Sequence, residues 1–444
     1  MDFRKETVRY CGHVQVLISS LLQPELLSYL FMEMKPFQLA NNTPLSLSPN
    51  FILPVNKRPN LLKVLPSASI PIIDLNDHDI DDGQGPSPLV SKISQACEEY
   101  GLFHIINHGV PKELCQKTLS VVREQYLTKD HTKQVKVFNY YQKVQKYEGI
   151  EKVKMWSETF SHPWHHTEDF THLLPTNPPQ YREVFAEYAR KIGGLFDRLL
   201  SLISRGLGLE NDCLKRRIGE RPRLNCQANY YPPCPDPELT IGLPEHNDLG
   251  SIAVLLQVEG VTGLQVIKDR KWLPVDPVPN AFVINLADQI QVLSNGKFQS
   301  VRHRAVTNKL LPRLSLGMFY NPNYDTVIGP IEDLIDEEHP PKYRKYSFKE
   351  YMEEFYRQEG KRRLPRLSLP MFYTPNNDTG IGPIEDLINE GHPPMYQKIQ
   401  NNSYKELMDK LYRQQGARRR VEEAFELQHY ECGLHLPCIG AFFF

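Results

Sequence analysis

The tightest constraint on this chain is a change of hydrophobic period near Arg223. Before it, Tyr181–Leu209 carries Val184, Phe185, Tyr188, Ile192, Leu195, Phe196, Leu199, Leu202 and Ile203 on one helical stripe. After it, the apolar residues come in short runs separated by Pro, Gly and Asn. These runs are Ile252–Gln257, Gly263–Lys268, Ala281–Leu286, Val301–Thr307 and Arg313–Tyr320. Runs of that length read as strands, and a series of them after one long helix implies a sandwich or jelly roll on a helical layer. The expected fold class is therefore α+β, with a sandwich or jelly roll flanked by helices.

Composition supports that choice and removes others. The 444 residues are 40% hydrophobic, enough for a sizeable core, and 36 prolines against 25 glycines suit β corners better than a helical bundle. Fifty-two basic and 53 acidic side chains leave a net charge of −1, so no general attraction to nucleic acid or an anionic membrane is expected. The eight cysteines are scattered with no C-x-x-C pair, which speaks against a zinc ribbon or disulfide scaffold and for a reducing compartment. Gln23, Pro24 and Glu25 interrupt the apolar stretch from Val14 to Met32, so neither a membrane span nor a signal peptide is expected. A cytoplasmic monomer is the expectation.

Four regions follow: an N-terminal extension over 1–69, partly irregular; an N-terminal region over 70–175; the jelly-roll domain with its long helix over 176–363; and a duplicated C-terminal segment with its tail over 364–444. Met34 is a possible alternative start. In the second region, strands are expected at Ile70–Leu75 and Leu102–Asn107, with helices at Leu89–Tyr100 and Leu114–Tyr126. Residues 128–155, rich in Lys, Gln and Tyr, fit neither period. Residues 312–345 match 365–398 at 26 of 34 positions, and Phe348–Gly360 matches Tyr404–Gly416. One copy repeated once is not a solenoid.

Chemistry concentrates at His246-Asn247-Asp248. In an extended chain, residues i and i+2 share a face, so the imidazole and the carboxylate can reach one ion while Asn247 points away. His303 adds a second imidazole from another expected strand. Two histidines and one carboxylate that leave other positions open are the ligand set of non-haem Fe(II) oxygenases. Ten residues further on, Arg313 and Ser315 again share a face and suit a carboxylate, the guanidinium as a fork and the hydroxyl as an extra donor. Asn229 and Tyr231, before Pro232-Pro233, could place polar tips at the cavity mouth. A rival cluster, His162, His165, His166 and His172 with Glu168 and Asp169, lies in a Pro-bounded stretch without strand alternation and reads as a polar lead into the long helix. His108 in Asn-His-Gly reads as a turn histidine bonded to backbone.

These residues resemble the plant-type 2-oxoglutarate- and Fe(II)-dependent dioxygenases, the isopenicillin N synthase-like superfamily. The carriers are Ile70-Pro-Ile-Ile-Asp-Leu75, Gly101-Leu-Phe-His-Ile-Ile-Asn-His-Gly-Val-Pro111, Asn229-Tyr-Tyr-Pro-Pro-Cys-Pro235, His246-Asn-Asp248, His303 and Arg313-Leu-Ser315. The resemblance runs from about residue 51 to 363, nearest in type to oxygenases of specialised metabolism such as hyoscyamine 6-hydroxylase and flavanone 3-hydroxylase. It implies a double-stranded β-helix (jelly-roll) core flanked by helices, and His246, Asp248 and His303 as iron ligands. It also implies Arg313 and Ser315, helped by Tyr231 and Asn229, as the holders of 2-oxoglutarate.

The implied reaction hydroxylates or desaturates a small metabolite with O2 and releases succinate and CO2, with ascorbate as a reductant. Two departures stand out: Asn247 replaces the usual Thr, and residues 120–155 replace the usual Phe-Phe-x-Leu-Pro segment of the cavity wall. Of the two R-x-S motifs, Arg313 is expected to function and Arg366 not, because Pro370 would remove a ladder donor where the first copy has Gly317. The alternatives are an ascorbate-dependent oxidase of the 1-aminocyclopropane-1-carboxylate oxidase type and an inactive, non-catalytic binding relative.

Overall fold

The computed structural model describes residues 47–59, 70–77, 86–127, 139–141, 143–147 and 150–357. Met34, Arg366 and the second copy of the repeat lie outside the described residues. In chain order the first elements are β1 (Ile72–Asp74), α1 (Pro88–Glu99), β2 (Leu102–Ile106) and α2 (Lys112–Leu127). Short strands follow at β3 (Asn139–Tyr141), β4 (Val144–Tyr147), β5 (Ile150–Lys154) and β6 (Glu158–Pro163). Next come α3 (Tyr181–Gly206), α4 (Cys213–Ile218), β7 (Arg223–Tyr231), β8 (Leu243–His246) and β9 (Ile252–Gln257). β10 (Leu264–Lys268), β11 (Lys271–Pro274), β12 (Phe282–Leu286), α5 (Asp288–Leu293), β13 (His303–Ala305) and β14 (Arg313–Asn321) complete the core. β15 (Val327–Ile328), β16 (Tyr346–Ser347) and α6 (Phe348–Arg357) close it.

The helices start where local chemistry allows. Ser87 Oγ accepts from Val90 N at 3.3 Å, and Pro88 occupies the first turn, where a missing N–H costs nothing. α1 then buries Leu89, Val90, Ile93, Ala96 and Cys97. α3 buries the stripe read from the sequence and stops at Gly206 rather than Leu209, its last carbonyls taken up in a tight turn.

An eight-stranded sheet runs β1-β2-β12-β9-β14-β7-β6-β3, and a four-stranded sheet runs β11-β10-β13-β8. Only the β1–β2 pair is parallel in the large sheet. β9 and β12, in the middle of that sheet, are covered on both faces, which explains why they read as nearly continuous apolar runs. The even-numbered residues of β14, Leu314, Leu316, Met318 and Tyr320, join the helical core, where the Phe196 and Tyr320 rings meet at 5.4 Å. The odd-numbered ones, Arg313, Ser315, Gly317 and Phe319, face the space toward the small sheet. Each fully buried Leu or Phe in that core is worth about 1.5–3 kcal/mol of transfer free energy.

The structure revises two sequence expectations. Asn229 and Tyr231 are not at a mouth: they lie within β7, a nine-residue strand paired along its whole length with β14. Pro232 and Pro233 end that strand rather than hold a loop, because neither can donate to a ladder. Residues 128–155, which matched no period, contain β3 and the β4–β5 hairpin where described. In β4 exposed residues alternate with half-buried ones, so the hairpin gives no apolar signal. Upstream, Phe51 packs edge-on against Trp156 at 4.9 Å and Leu53 is fully enclosed, which ties part of the N-terminal extension to the sheet.

Candidate active site

β8 ends at His246 and β13 begins at His303, and antiparallel pairing sets them opposite each other with ring centroids 4.2 Å apart. Two residues after His246, Asp248 returns to the same face. Its Oδ1 is 3.7 Å from His246 Nε2 and 3.8 Å from His303 Nε2. One ligand atom from each residue lies within 4.8 Å of the others, and among the described residues no other group of three does so. Asn247 turns away and donates to Ser300 O at 2.8 Å, as the i, i+2 argument requires.

The remaining contacts prepare these side chains for a cation. His246 Nδ1 lies 2.8 Å from Pro244 O and His303 Nδ1 lies 3.2 Å from Val301 O. A carbonyl can only accept, so each Nδ1 carries the proton and each Nε2 keeps its lone pair toward Asp248. Burial, then the neighbouring His303 and Lys143, hold His246 well below the ordinary imidazole range, so it is neutral, as a ligand must be. Asn285 Nδ2 donates to Asp248 Oδ2 at 2.5 Å and fixes the carboxylate's rotation.

The anion-binding half sits on β7 and β14, where Arg313 stands opposite Tyr231 and Ser315 opposite Asn229. All four are buried. Arg313 donates from a terminal nitrogen to Gln257 Oε1 at 2.9 Å and lies 5.1 Å from the Tyr231 ring centre. Its Nε is buried with no hydrogen-bond partner. An orphaned guanidinium donor inside a cavity is costly by itself and is satisfied by a carboxylate arriving from outside. Two glycines make the room: a Cβ on Gly263 would sit 2.8 Å from Arg313 Cδ, and one on Gly242 would sit 2.5 Å from the Tyr231 ring. Asn229 Oδ1 is already committed, accepting from Thr159 Oγ1 at 3.0 Å and Gln227 Nε2 at 3.2 Å.

Both halves open onto one cavity of about 1320 Å³ between the two sheets. Two neutral Nε2 atoms and a carboxylate facing one point, with a carboxylate receptor on the same cavity, fit a ferrous ion and 2-oxoglutarate together.

The rival histidines do not converge. His162 bonds the Tyr181 hydroxyl at 2.8 Å and the Pro163 carbonyl at 2.7 Å inside the helical core. His165 Nδ1 instead caps the turn at Glu168 N, 2.9 Å away. His108 accepts from Val110 N and reaches Asn280 O at 3.0 Å, a turn histidine as expected. Sequence reasoning missed Asn285, Gln257, Gly242 and Gly263. Asn285 had a usable signal, a lone amide in the apolar run Phe282-Val-Ile-Asn-Leu286, two residues from Val283 on the cavity face.

Comparison with known proteins agrees with this geometry. Residues 223–322 match the 2OG-Fe(II) oxygenase superfamily, and residues 70–187 match the N-terminal region of non-haem dioxygenases of the kind found in morphine synthesis. Protein DMR6-LIKE OXYGENASE 1 of Arabidopsis thaliana is 42% identical over 319 residues, covering 69% of this chain and 88% of that protein. Flavanone 3-dioxygenase 2 of Oryza sativa subsp. japonica is 35% identical, over 69% of this chain and 89% of its own length. The crystal structure of JOX2 in complex with 2OG, Fe and JA superposes with a TM-score of 0.63 at 34% identity, covering 73% of this chain and 94% of that one. The chain belongs to the 2OG-Fe(II) oxygenase superfamily and is a dioxygenase with a jelly-roll fold that uses Fe(II) and 2-oxoglutarate.

Proposed function

We propose that His246, Asp248 and His303 hold the Fe(II), and that Arg313 and Ser315, with Tyr231 and Asn229, hold the distal carboxylate of 2-oxoglutarate. The observation that carries this reading is the convergence of both groups on one cavity, each with an unfilled polar valence turned inward. When bound, iron and cosubstrate supply the oxidising chemistry, in which 2-oxoglutarate loses CO2 to give succinate and a substrate carbon is hydroxylated or desaturated. The chain's own part is positional. Pro244 and Val301 carbonyls orient the imidazoles, Asn285 orients Asp248, and the guanidinium of Arg313 fixes the cosubstrate at its far end. The two covering layers, helices behind the large sheet and the small sheet in front, limit the access of water.

The substrate in this reading is a small specialised metabolite of a plant, which the flavanone 3-dioxygenase relative supports. The jelly-roll domain over 176–363, with the region over 70–175, carries the activity; residues 364–444 are a surplus copy and 1–69 an extension. In this reading the protein is a cytoplasmic monomer, with ascorbate keeping the iron reduced; the near-neutral charge supports the lack of nucleic-acid or membrane partners, and the five free buried cysteines among the described residues support a reducing compartment. Among these residues, no helix is long and apolar enough to cross a membrane.

The test is a turnover screen over phenolics, flavonoids and alkaloids, with succinate and product mass measured together. Succinate released in step with a product heavier by one oxygen, or lighter by two hydrogens, is expected. Oxidation that consumes ascorbate without succinate points instead to the 1-aminocyclopropane-1-carboxylate oxidase type.

A further inference from the structure

The turn that carries Asp248 rests on one short run of the chain. Ala287 N donates to Ser251 O at 2.9 Å, Asp288 N to Asp248 O at 3.0 Å and Gln289 N to Gly250 O at 2.9 Å. The Gln289 side chain takes the remaining carbonyl, donating from Nε2 to Leu249 O at 2.6 Å. Four successive carbonyls, 248 to 251, are thus held by three residues at the start of α5. On another side, a Cβ on Gly250 would strike Asn321 Oδ1, so the turn has little space to retreat into.

What holds those three residues comes from the C-terminal end of the described chain. The Tyr351 hydroxyl on α6 donates to Asp288 Oδ2 at 2.6 Å, and the Tyr346 hydroxyl on β16 donates to Gln289 Oε1 at 2.8 Å. All four side chains are buried. A buried carboxylate oxygen that loses a donor is costly, so the Asp288 side chain is directed by where the Tyr351 phenol stands. The Asp288 backbone N–H then directs the Asp248 carbonyl.

The repeat sets these two phenols apart. Phe348–Gly360 matches Tyr404–Gly416, a register that places Leu407 at Tyr351 and, carried back two residues, Asn402 at Tyr346. Tyr343, whose hydroxyl accepts from Gln291 Nε2, keeps a tyrosine in the second copy, Tyr396. The hydroxyls lost from the second copy are those that reach the residues under the Asp248 turn.

We propose that Tyr351 is a positioning residue for the iron site: through Asp288 it fixes the 248–251 turn, and with it the direction of the Asp248 carboxylate. The proposal rests on the assignment of Asp248 as an iron ligand above. Tyr351 itself touches neither metal nor cosubstrate. The first copy of the repeat then serves the metal half of the site as well as supplying Arg313.

The test uses the full chain under nitrogen as wild type, Tyr351→Phe, Asp288→Ala and the double variant. Fe(II) is titrated at saturating 2-oxoglutarate by the charge-transfer absorption, and amide hydrogen exchange is measured on the metal-free protein. Tyr351→Phe is expected to weaken Fe(II) about 10-fold, the lower end for a group that supports a ligand, because the effect passes through one more residue. At saturating Fe(II) its 2-oxoglutarate midpoint should match the wild type. In the metal-free variant, the amides of 287–289 should lose protection. With Asp288→Ala in place, adding Tyr351→Phe should cost no further Fe(II) affinity.

An unchanged Fe(II) midpoint in Tyr351→Phe overturns the proposal, whatever that variant's stability to denaturant. An equal loss with and without Asp288 overturns it too, since Tyr351 would then act by another route. A 2-oxoglutarate midpoint shifted as far as that of Fe(II) marks a general loosening and has the same consequence. If Asp288→Ala does not fold, the exchange pattern decides: protection lost at 287–289 supports the route, and protection lost only within α6 overturns it. Absence of the charge-transfer absorption in folded wild-type protein would instead overturn the underlying site assignment, a separate result read before any variant is compared.

Discussion

At the scale of single residues, the site depends on side chains that never touch a reactant. Asn285 holds Asp248 Oδ2 through a 2.5 Å hydrogen bond, which leaves Oδ1 turned toward the two histidines. Replacing such a partner typically costs 10- to 100-fold in metal affinity. Asn285→Ala is therefore expected to weaken Fe(II) binding about 10- to 100-fold, measured by anaerobic titration in the presence of 2-oxoglutarate. An unchanged affinity would mean that His246 and His303 alone orient the site. The same logic separates what was legible in the sequence from what was not. His246, Asp248 and His303 carry their chemistry in their side chains, and the i, i+2 rule already places two of them on one face. Gly242 and Gly263 act by what they lack, a Cβ that would strike Tyr231 or Arg313, and no residue pattern shows that before the neighbour is known.

At the scale of elements, the interface between α3 and the large sheet carries its own pH signature. His162 on β6 is enclosed by Phe160, Tyr181 and Phe185, with its Nε2 3.2 Å from Cys226 Sγ. Burial pulls it down to about 4 from 6.5. Between those values the unfolded chain takes up a proton that the folded chain refuses. Stability is therefore intact above pH 6.5 and lost as pH falls toward the folded value.

The contribution amounts to roughly 3 kcal/mol. His162→Gln does not titrate, so denaturant unfolding at the two ends of that window should show a drop in the wild type larger by about that amount. Equal drops would remove His162 as the cause. The long helix and β9, β10, β12, β13 and β14 were legible as apolar runs, whereas the four-residue β11, Lys271–Pro274, gave no such run. β7 was only glimpsed through Asn229 and Tyr231, because its odd residues are polar cavity liners and its even ones core, an alternation easily taken for a loop before prolines. The β4–β5 hairpin, half solvated, carries no period.

At the scale of the whole molecule, two layers are brought together for one purpose. The helical core grips one face of the large sheet, and the other face is left to line a cavity that the small sheet closes. Iron-type ligands come from the small sheet and the β8 end, and the carboxylate receptor comes from β7 and β14, so the site exists only when both sheets face each other. The repeat sharpens the test, because the sequence offers Arg313-Leu-Ser315 and Arg366-Leu-Ser368 as rival receptors. Only the first lies among the described residues, paired with Tyr231 and Asn229.

The most direct measurement is an anaerobic titration of the full chain with Fe(II) and 2-oxoglutarate, following the charge-transfer absorption of the chelate in wild type, Arg313→Ala and Arg366→Ala. Removing one partner of a buried charged hydrogen bond costs roughly 2–4 kcal/mol, or about 30- to 1,000-fold in affinity. The wild type and Arg366→Ala should therefore show the band with the same midpoint, and Arg313→Ala should need that much more 2-oxoglutarate. No band from folded wild-type protein, or a loss confined to Arg366→Ala, would contradict the assignment.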